Sequence, residues 1–370
     1  MLALPPLPYV GLPAAPAAPA AQPSITRPST ARPSTARPPA ARPADRHPSA
    51  DRVWQDEAAP DVERSERGPG HDQQSSSEER TTQNFTVGED AVLVLQNVSG
   101  SISITGGAKR EIRIEAVKRT SGSDAKRQLS TVTVDIQQSG NRVEVNTRHS
   151  RGSSRAWVDY VVSVPTGASV EVGNVSGDTV LKDIAGEVHA STVSGDLKGI
   201  NLGRVAKLNA VSGNITVDKS TTTGLQISTV SGEVRIEQLT ARDFQYSTVS
   251  GDLIVANCAC DRVQGESVSG NLELGARFTR NGRYNLTSHS GDITLVPLSG
   301  GSGLDVKLNT FSGNLHSDFG GAPTGKRGGF MGGGDVRVKV GDGGAFVEAS
   351  TFSGDVNIRK SLDDKGKGQR

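Results

Sequence analysis

A Ser-Gly pair followed by Asp, Asn or Glu recurs through the C-terminal half of this chain, and no other feature narrows its fold so far. The serines are Ser176, Ser194, Ser212, Ser231, Ser250, Ser269, Ser290, Ser312 and Ser353. Successive copies stand 18 to 22 residues apart, except the last, which follows after 41. A period near 19 held over so many copies means stacked structural units, because no single unit could keep its apolar face dry alone. One isolated copy, Val98-Ser99-Gly100-Ser101-Ile102, lies far upstream.

The copies align beyond the Ser-Gly pair. Six residues before the serine stand Val188, Leu225 and Phe244; four before it stand Leu208, Ile227 and Tyr246; three after it stand Leu197, Ile215 and Val234. Apolar positions two apart on each side of the pair place alternate side chains on one face of two short strands. One unit is therefore strand, Ser-Gly bend, strand, corner. Stacked at the ~4.8 Å strand spacing, nine units make a parallel β-solenoid, or β-helix, roughly 40 Å long. The residue just before the serine is Val in six copies, Phe311 and Phe352 in two, and His289 once. It breaks the alternation, and the expectation is that a bend turns it inward.

The glycines of the bends are Gly177, Gly195, Gly213, Gly232, Gly251, Gly270, Gly291, Gly313 and Gly354. A bend that needs positive φ admits glycine at low cost. The next residue forms a column, of which Asp178, Asp196, Glu233 and Asp252 are the acids that could bridge a cation between coils. The competing reading is turn chemistry, in which short Asp and Asn side chains bond nearby backbone. The spacing does not match the nonapeptide calcium repeat, which needs a Gly-Gly-x-Gly-x-Asp pattern.

The rest of the chain divides by composition. Residues 1–82 read as a disordered Pro/Arg/Ala-rich tether, with Arg27, Arg32, Arg37 and Arg42 each followed by Pro. Such a tract favours extended polyproline II and buries too little surface to offset its ordering entropy. Its apolar start, with Ala18-Pro19-Ala20, reads either as the remnant of an export signal or as plain Pro/Ala-rich sequence. Residues 83–172 read as an antiparallel β region with period-two runs such as Thr131-Val132-Thr133-Val134 and a hairpin turn at Ser139-Gly140-Asn141. A short helix is expected over 123–129, capped by Ser123. Residues 173–360 form the solenoid, with a Gly-rich insertion over 320–344 that lengthens the last coil, and 361–370 are a polar tail.

The whole is an all-β fold with little material for catalysis. Lys+Arg 41 against Asp+Glu 40 gives no global pull toward nucleic acid. No run approaches the ~18 apolar residues of a membrane span. Cys258 and Cys260 lie two apart with no His or further Cys to complete a zinc site, and read as plain thiols or a local disulfide. Gly320 to Arg327 has the outline of a phosphate-binding loop, but Arg327 stands where Ser or Thr is required. His149, His189, His289 and His316 occupy unrelated repeat positions, and no nucleophile–base pair is suggested by spacing. No catalytic residue, cofactor or resident metal is expected.

The Val-Ser-Gly-Asp/Asn/Glu copies from Val175 onward, the closing Ser350-Thr351-Phe352-Ser353-Gly354-Asp355-Val356 and the Gly332-Gly333-Gly334 before it carry a family likeness. Together with Val164-Pro165 and the strand that follows it, they make residues 83–360 resemble the bacterial putative adhesin family, β-strand-repeat domains of unknown function. The resemblance implies adhesion or a cell-envelope role and brings no catalytic residues. The expected function is a non-catalytic binding or structural module in the periplasm or on the cell surface, presenting a repetitive face to a cell-surface polymer or an envelope protein. A self-associating solenoid stacking end to end through uncapped coils is the alternative, and a polysaccharide-acting β-helix enzyme the third.

Overall fold

Val188 lies beside Val170 of the strand before it and Ala206 of the strand after it, and this parallel pairing repeats along the chain. The computed structural model describes residues 77–121, 124–150, 155–320, 322–323 and 334–360. Apart from one short helix, Ala125–Leu129, the regular elements there are β-strands, most of them paired in parallel. Asp124 occupies the helix cap without a side-chain bond, and Ser123, the expected cap, lies outside the described residues.

Each unit contributes one strand to each of two sheets. Val188–Ser194 pairs with Ser169–Ser176 and Val205–Ser212 in the first sheet. Leu197–Ile200 pairs with Thr179–Lys182 and Ile215–Asp218 in the second. One level of this solenoid-like stack is called a rung below and takes the name of its serine. In the Ser231 rung, Leu225, Ile227, Val234 and Ile236 are all buried. At about 1.5–3 kcal/mol per side chain, such burial offsets the ordering of the rung only when neighbours cover both its sides. The corners after the second sheet stack too: Asp183, Asn201 and Lys219 share a left-handed φ of 57°, 53° and 50°. Asp and Asn visit that region more readily than most residues.

The rungs do not stack in chain order at either end. Val92–Ser99 and Ile102–Ala108 insert between strands 142–165 and strands 169–182, with Ser99 facing Ser176. At the other end Ala345–Ser353 lies between Arg283–Ser290 and Leu304–Ser312, so Ser353 faces both Ser290 and Ser312. The second sheet repeats the insertion, with Val356–Ile358 between Ile293–Pro297 and Leu315–Ser317.

Three expectations change accordingly. The stretch 83–172 is not wholly antiparallel, because the strands on either side of its upstream Ser99-Gly100 bend pair in parallel on both edges, with Arg142–His149 and Ala156–Pro165 on one edge and the following rung on the other. Its remaining pairings, such as Val132–Ser139 with Arg142–His149 across Gly140-Asn141, are antiparallel. The Gly-rich segment does not simply lengthen a last coil, since Gly334–Val340 runs back antiparallel along Leu304–Ser312. Of the stretch expected as a tether, residues 77–82 belong instead to strand Ser77–Thr86, which pairs with Glu111–Thr120, and residues 1–76 lie outside the described residues. The phosphate-loop outline falls mostly outside the described residues.

Antiparallel strands cover both ends of the first sheet, Val132–Ser139 at one and Gly334–Val340 at the other, and Glu111–Thr120 covers one end of the second. At the other end of the second sheet Leu315–Ser317 pairs in parallel with Val356–Ile358, so among the described residues the bare parallel edge that end-to-end stacking was expected to use is confined to this short strand.

Candidate functional site: the outer face of the first sheet

The bends fix what this face can display. Gly177 at φ 118° and Gly232 at φ 134° take the left-handed conformation expected of them. Gly251, Gly270 and Gly313 do not, so a positive φ is not the common reason for glycine. Close approach is. A Cβ on Gly251 would meet the carbonyl oxygen of Gly232, and one on Gly270 that of Gly251. Backbone stacks directly on backbone along this column, and only hydrogen fits between.

The acids beyond the glycines act between rungs. Asp178 Oδ1 accepts the backbone N–H of Asp196 at 3.0 Å, and Asp196 Oδ1 that of Asn214 at 2.8 Å. Asn214 Oδ1 accepts from Glu233, and Asp252 Oδ1 from Asn271. Glu233 has a longer side chain and instead takes Arg235 at 2.7 Å. The first rung has Ser101 at this position, and Asp159 from the neighbouring strand accepts both its N–H and its hydroxyl. The sequence pointed to bonds within a turn, whereas these run from one rung to the next. Among the described residues no group of three His, Cys, Asp or Glu side chains is placed to hold a metal ion.

The alternation continues to the residue before the serine. Two before it, small polar side chains turn inward: Asn174, Thr192, Thr229, Ser288 and Thr351 are buried. They sit beside the bends, and two of them donate to glycine carbonyls. Asn174 Nδ2 donates to the Gly177 oxygen at 2.8 Å, and Thr351 Oγ1 to that of Gly291 at 3.1 Å. The next residue must then face out, which overturns the expected inward turn. Val98, Val175, Val193, Val211, Val230, Val249, Val268, Phe352 and Phe311 are all more than a third exposed. With His289 they form one continuous ladder, ending in rings stacked at 5.1 Å (His289 on Phe352) and 4.7 Å (Phe352 on Phe311).

Parallel to this apolar ridge run ladders of hydrogen-bonding groups. Three residues before each serine stand Ser228, Ser247, Glu266, Thr287 and Ser350, and five before it Gln226, Gln245, Gln264 and Asn285. A groove of about 640 Å³ crosses the outer ladders, lined by Asp243, Gln245, Gln264, Arg283, Asn285 and Phe346 among others. Phe346 is 55% exposed there. Arg262 is paired with Asp243, and Lys307 with Glu348 at 2.9 Å. Arg283, between Arg262 and Phe346 in the ladder, has no ion pair among the described residues.

The histidines do not converge. His189 meets Glu187 and His316 meets Asp318, each at 3.0 Å, while His149 has its imidazole held below its ordinary value by burial. Cys258 and Cys260 form a disulfide buried on a short third face, where they stand beside Leu239 and Ala241. Of the two readings the sequence left, the disulfide is the one observed.

Residues 219–370 match the family model described as Toastrack DUF4097. This part of the chain is a Toastrack domain. The rungs continue upstream of the matched residues without a change of register, as far as Ser99. Among solved structures the chain is similar to a putative lipid binding protein from Parabacteroides distasonis, at 12% identity and a TM-score of 0.42, covering 76% of this chain and 96% of that one. It is also similar to a putative adhesin from Bacteroides fragilis, at 13% identity and a TM-score of 0.39, covering 76% and 97%. A putative adhesin from Parabacteroides distasonis follows at 11% identity and a TM-score of 0.37, again covering 76% and 97%. Nothing among the curated proteins matches the chain. Among the described residues no helix is long and apolar enough to cross a membrane.

Proposed function

We propose that this chain is a non-catalytic, adhesin-like binding module of the cell envelope, built as a β-solenoid of about 19-residue coils. The observation that carries this reading is the outer face of the first sheet. There amide and hydroxyl ladders run for several rungs beside exposed Phe346, over a groove of about 640 Å³. Repeated hydrogen-bonding groups at one strand spacing, with an aromatic ring and an unpaired Arg283 at the margin, suit an extended polar polymer better than a compact substrate. The carboxylates that line the groove are engaged in ion pairs, Asp243 with Arg262 and Glu348 with Lys307, which suits a binding surface better than acid–base chemistry. The buried Cys258–Cys260 disulfide supports an oxidising, extracytoplasmic location.

The test is binding of the full chain to a panel of cell-surface polysaccharides, followed by Phe346→Ala, Gln264→Ala and Arg283→Ala. All three side chains line the outer groove, so their loss should weaken binding about tenfold or more each while leaving melting unchanged. Undiminished binding in the triple variant would place the ligand elsewhere. Release of new reducing ends from the bound polymer would favour the enzyme.

A further inference from the structure

Most of the large apolar side chains exposed on the described residues fall on one line, the ridge that begins at Val98 and ends at Phe311. Ten residues at the strand spacing make it ~43 Å long. At roughly half exposure each, it presents on the order of 700 Å² of largely apolar surface, more than the ~300–600 Å² of a typical monomer's largest patch. It is also close to the ~800 Å² that each partner contributes to a standard interface.

A partner that covers the whole ridge must carry apolar groups at the same ~4.8 Å pitch, and a second copy of the ridge does so by construction. We propose that two copies of this chain pair side by side through this ridge, in parallel. Two features choose the orientation. Beside the ridge lies a depression of about 590 Å³, bounded by Val268, Phe352 and Phe311 and floored by Ser247 and Thr287. A twofold axis along the rod seats each ridge in the other copy's depression. An axis across the rod would set ridge on ridge and leave the depressions facing each other.

Charge points the same way. On the bend side of the ridge runs the column containing Asp178, Asp196, Asp252 and Asp292; on the other runs the ladder of Ser228, Ser247, Glu266 and Thr287, whose one acid, Glu266, shares its rung with the uncharged Asn271 of the column. The axis along the rod brings each acidic column opposite the partner's hydroxyls. The axis across it would bring acid column against acid column, which repels. Parallel pairing puts both N-terminal ends on the same side, as for two molecules held on one surface. The pairing requires no polymer ligand and stands or falls separately from the groove around Phe346.

Analytical ultracentrifugation of the full chain should show a dimer, and Val211→Asp with Val230→Asp and Val249→Asp should weaken it about a hundredfold or more. Like charges in adjacent rungs and the loss of the partner both lower the melting temperature, so lost pairing is separated from lost folding by a far-UV circular dichroism spectrum that stays that of the native chain. For orientation, Val175→Cys, Val230→Cys and Val268→Cys are treated singly with a short bismaleimide. In the parallel dimer each position lies beside its own copy, and all three should crosslink. An antiparallel dimer would crosslink only Val230→Cys, near the middle of the ridge, and would overturn the parallel form. A monomer at about 100 µM, or a dimer indifferent to the three Asp substitutions, would overturn the proposal itself.

Discussion

Asp355 donates its backbone N–H to the Asp292 carboxylate at 2.8 Å across 63 residues of sequence. The bond exists because the chain returns to place the Ser353 rung between two rungs laid down earlier. A chain ending at residue 344 would leave Arg283–Ser290 and Leu304–Ser312 separated by an empty strand position. We expect hydrogen exchange to lose protection over Leu304–Ser312 in that truncation, while Val188–Ser194 in the middle of the stack keeps its own. Full protection of Leu304–Ser312 without residues 345–360 would contradict the insertion.

The glycine column separates two causes of destabilisation. Gly232→Val combines a φ of 134° with a clash against the Gly213 carbonyl and should cost several kcal/mol. Gly251→Ala has no left-handed φ to strain, yet its Cβ meets the Gly232 oxygen, so it too should lower the melting temperature markedly. Gly224→Ala meets nothing within 4 Å and should be neutral, or stabilising by up to about 1 kcal/mol. Thermal melts of the three variants check the order. A harmless Gly251→Ala would show that the backbone has room there.

The Asp column should tolerate Asn and resist Ala. Asn214 already performs with an amide oxygen what Asp196 does with a carboxylate. Asp178→Asn together with Asp196→Asn should therefore change stability by less than about 0.5 kcal/mol, whereas Asp196→Ala strands the Asn214 N–H and should cost about 1 kcal/mol. Calcium should leave the melting temperature of the native chain unchanged. A rise of several degrees that vanishes in the double Asn variant would instead reveal a bridging cation.

Reduction of the Cys258–Cys260 bridge should have a modest effect, because it closes a loop with a sequence separation of only 2. Loop-closure entropy for so short a ring is about 1.5 kcal/mol. Denaturant melts of oxidised and reduced chain, with the redox state checked by mass spectrometry, should differ by about that amount. A larger gap would mean that the thiols cannot repack in the buried third face.

Alkaline pH offers a further test. Burial pushes Tyr160 from its ordinary value of 10.0 up to about 12, against the opposing hydrogen bond from Thr147 at 2.7 Å. Its folded value lies above its unfolded one, so its contribution to stability is full below the ordinary value and fades as pH rises through about 12. Absorbance at 295 nm should show Tyr160 still protonated at about pH 11 in the folded chain, with ionisation released by unfolding. Titration of every tyrosine near its ordinary value would contradict its burial.

The sequence by itself determined the rung. Period-two alternation on both sides of the Ser-Gly pair assigned Leu225, Ile227 and Val234 to the interior without reference to any partner, because pleat geometry depends only on neighbours along the strand. The recurrence near 19 residues likewise required stacking. Stacking order was decided only by the tertiary structure. Ser312 and Ser353 carry the same motif, and identical bends can stack in either order until antiparallel Gly334–Val340 covers one end and Ala345–Ser353 fills the gap. The direction of Val230 and its equivalents was also hidden. It depends on whether the preceding residue turns inward, and that residue does so whether it donates to a glycine carbonyl, as Asn174 and Thr351 do, or is Ala210, with nothing to donate. Local pattern limits the faces a side chain can take, but whether the strand keeps its pleat up to the bend is settled by the backbone pairing of neighbouring rungs, which only the folded stack supplies.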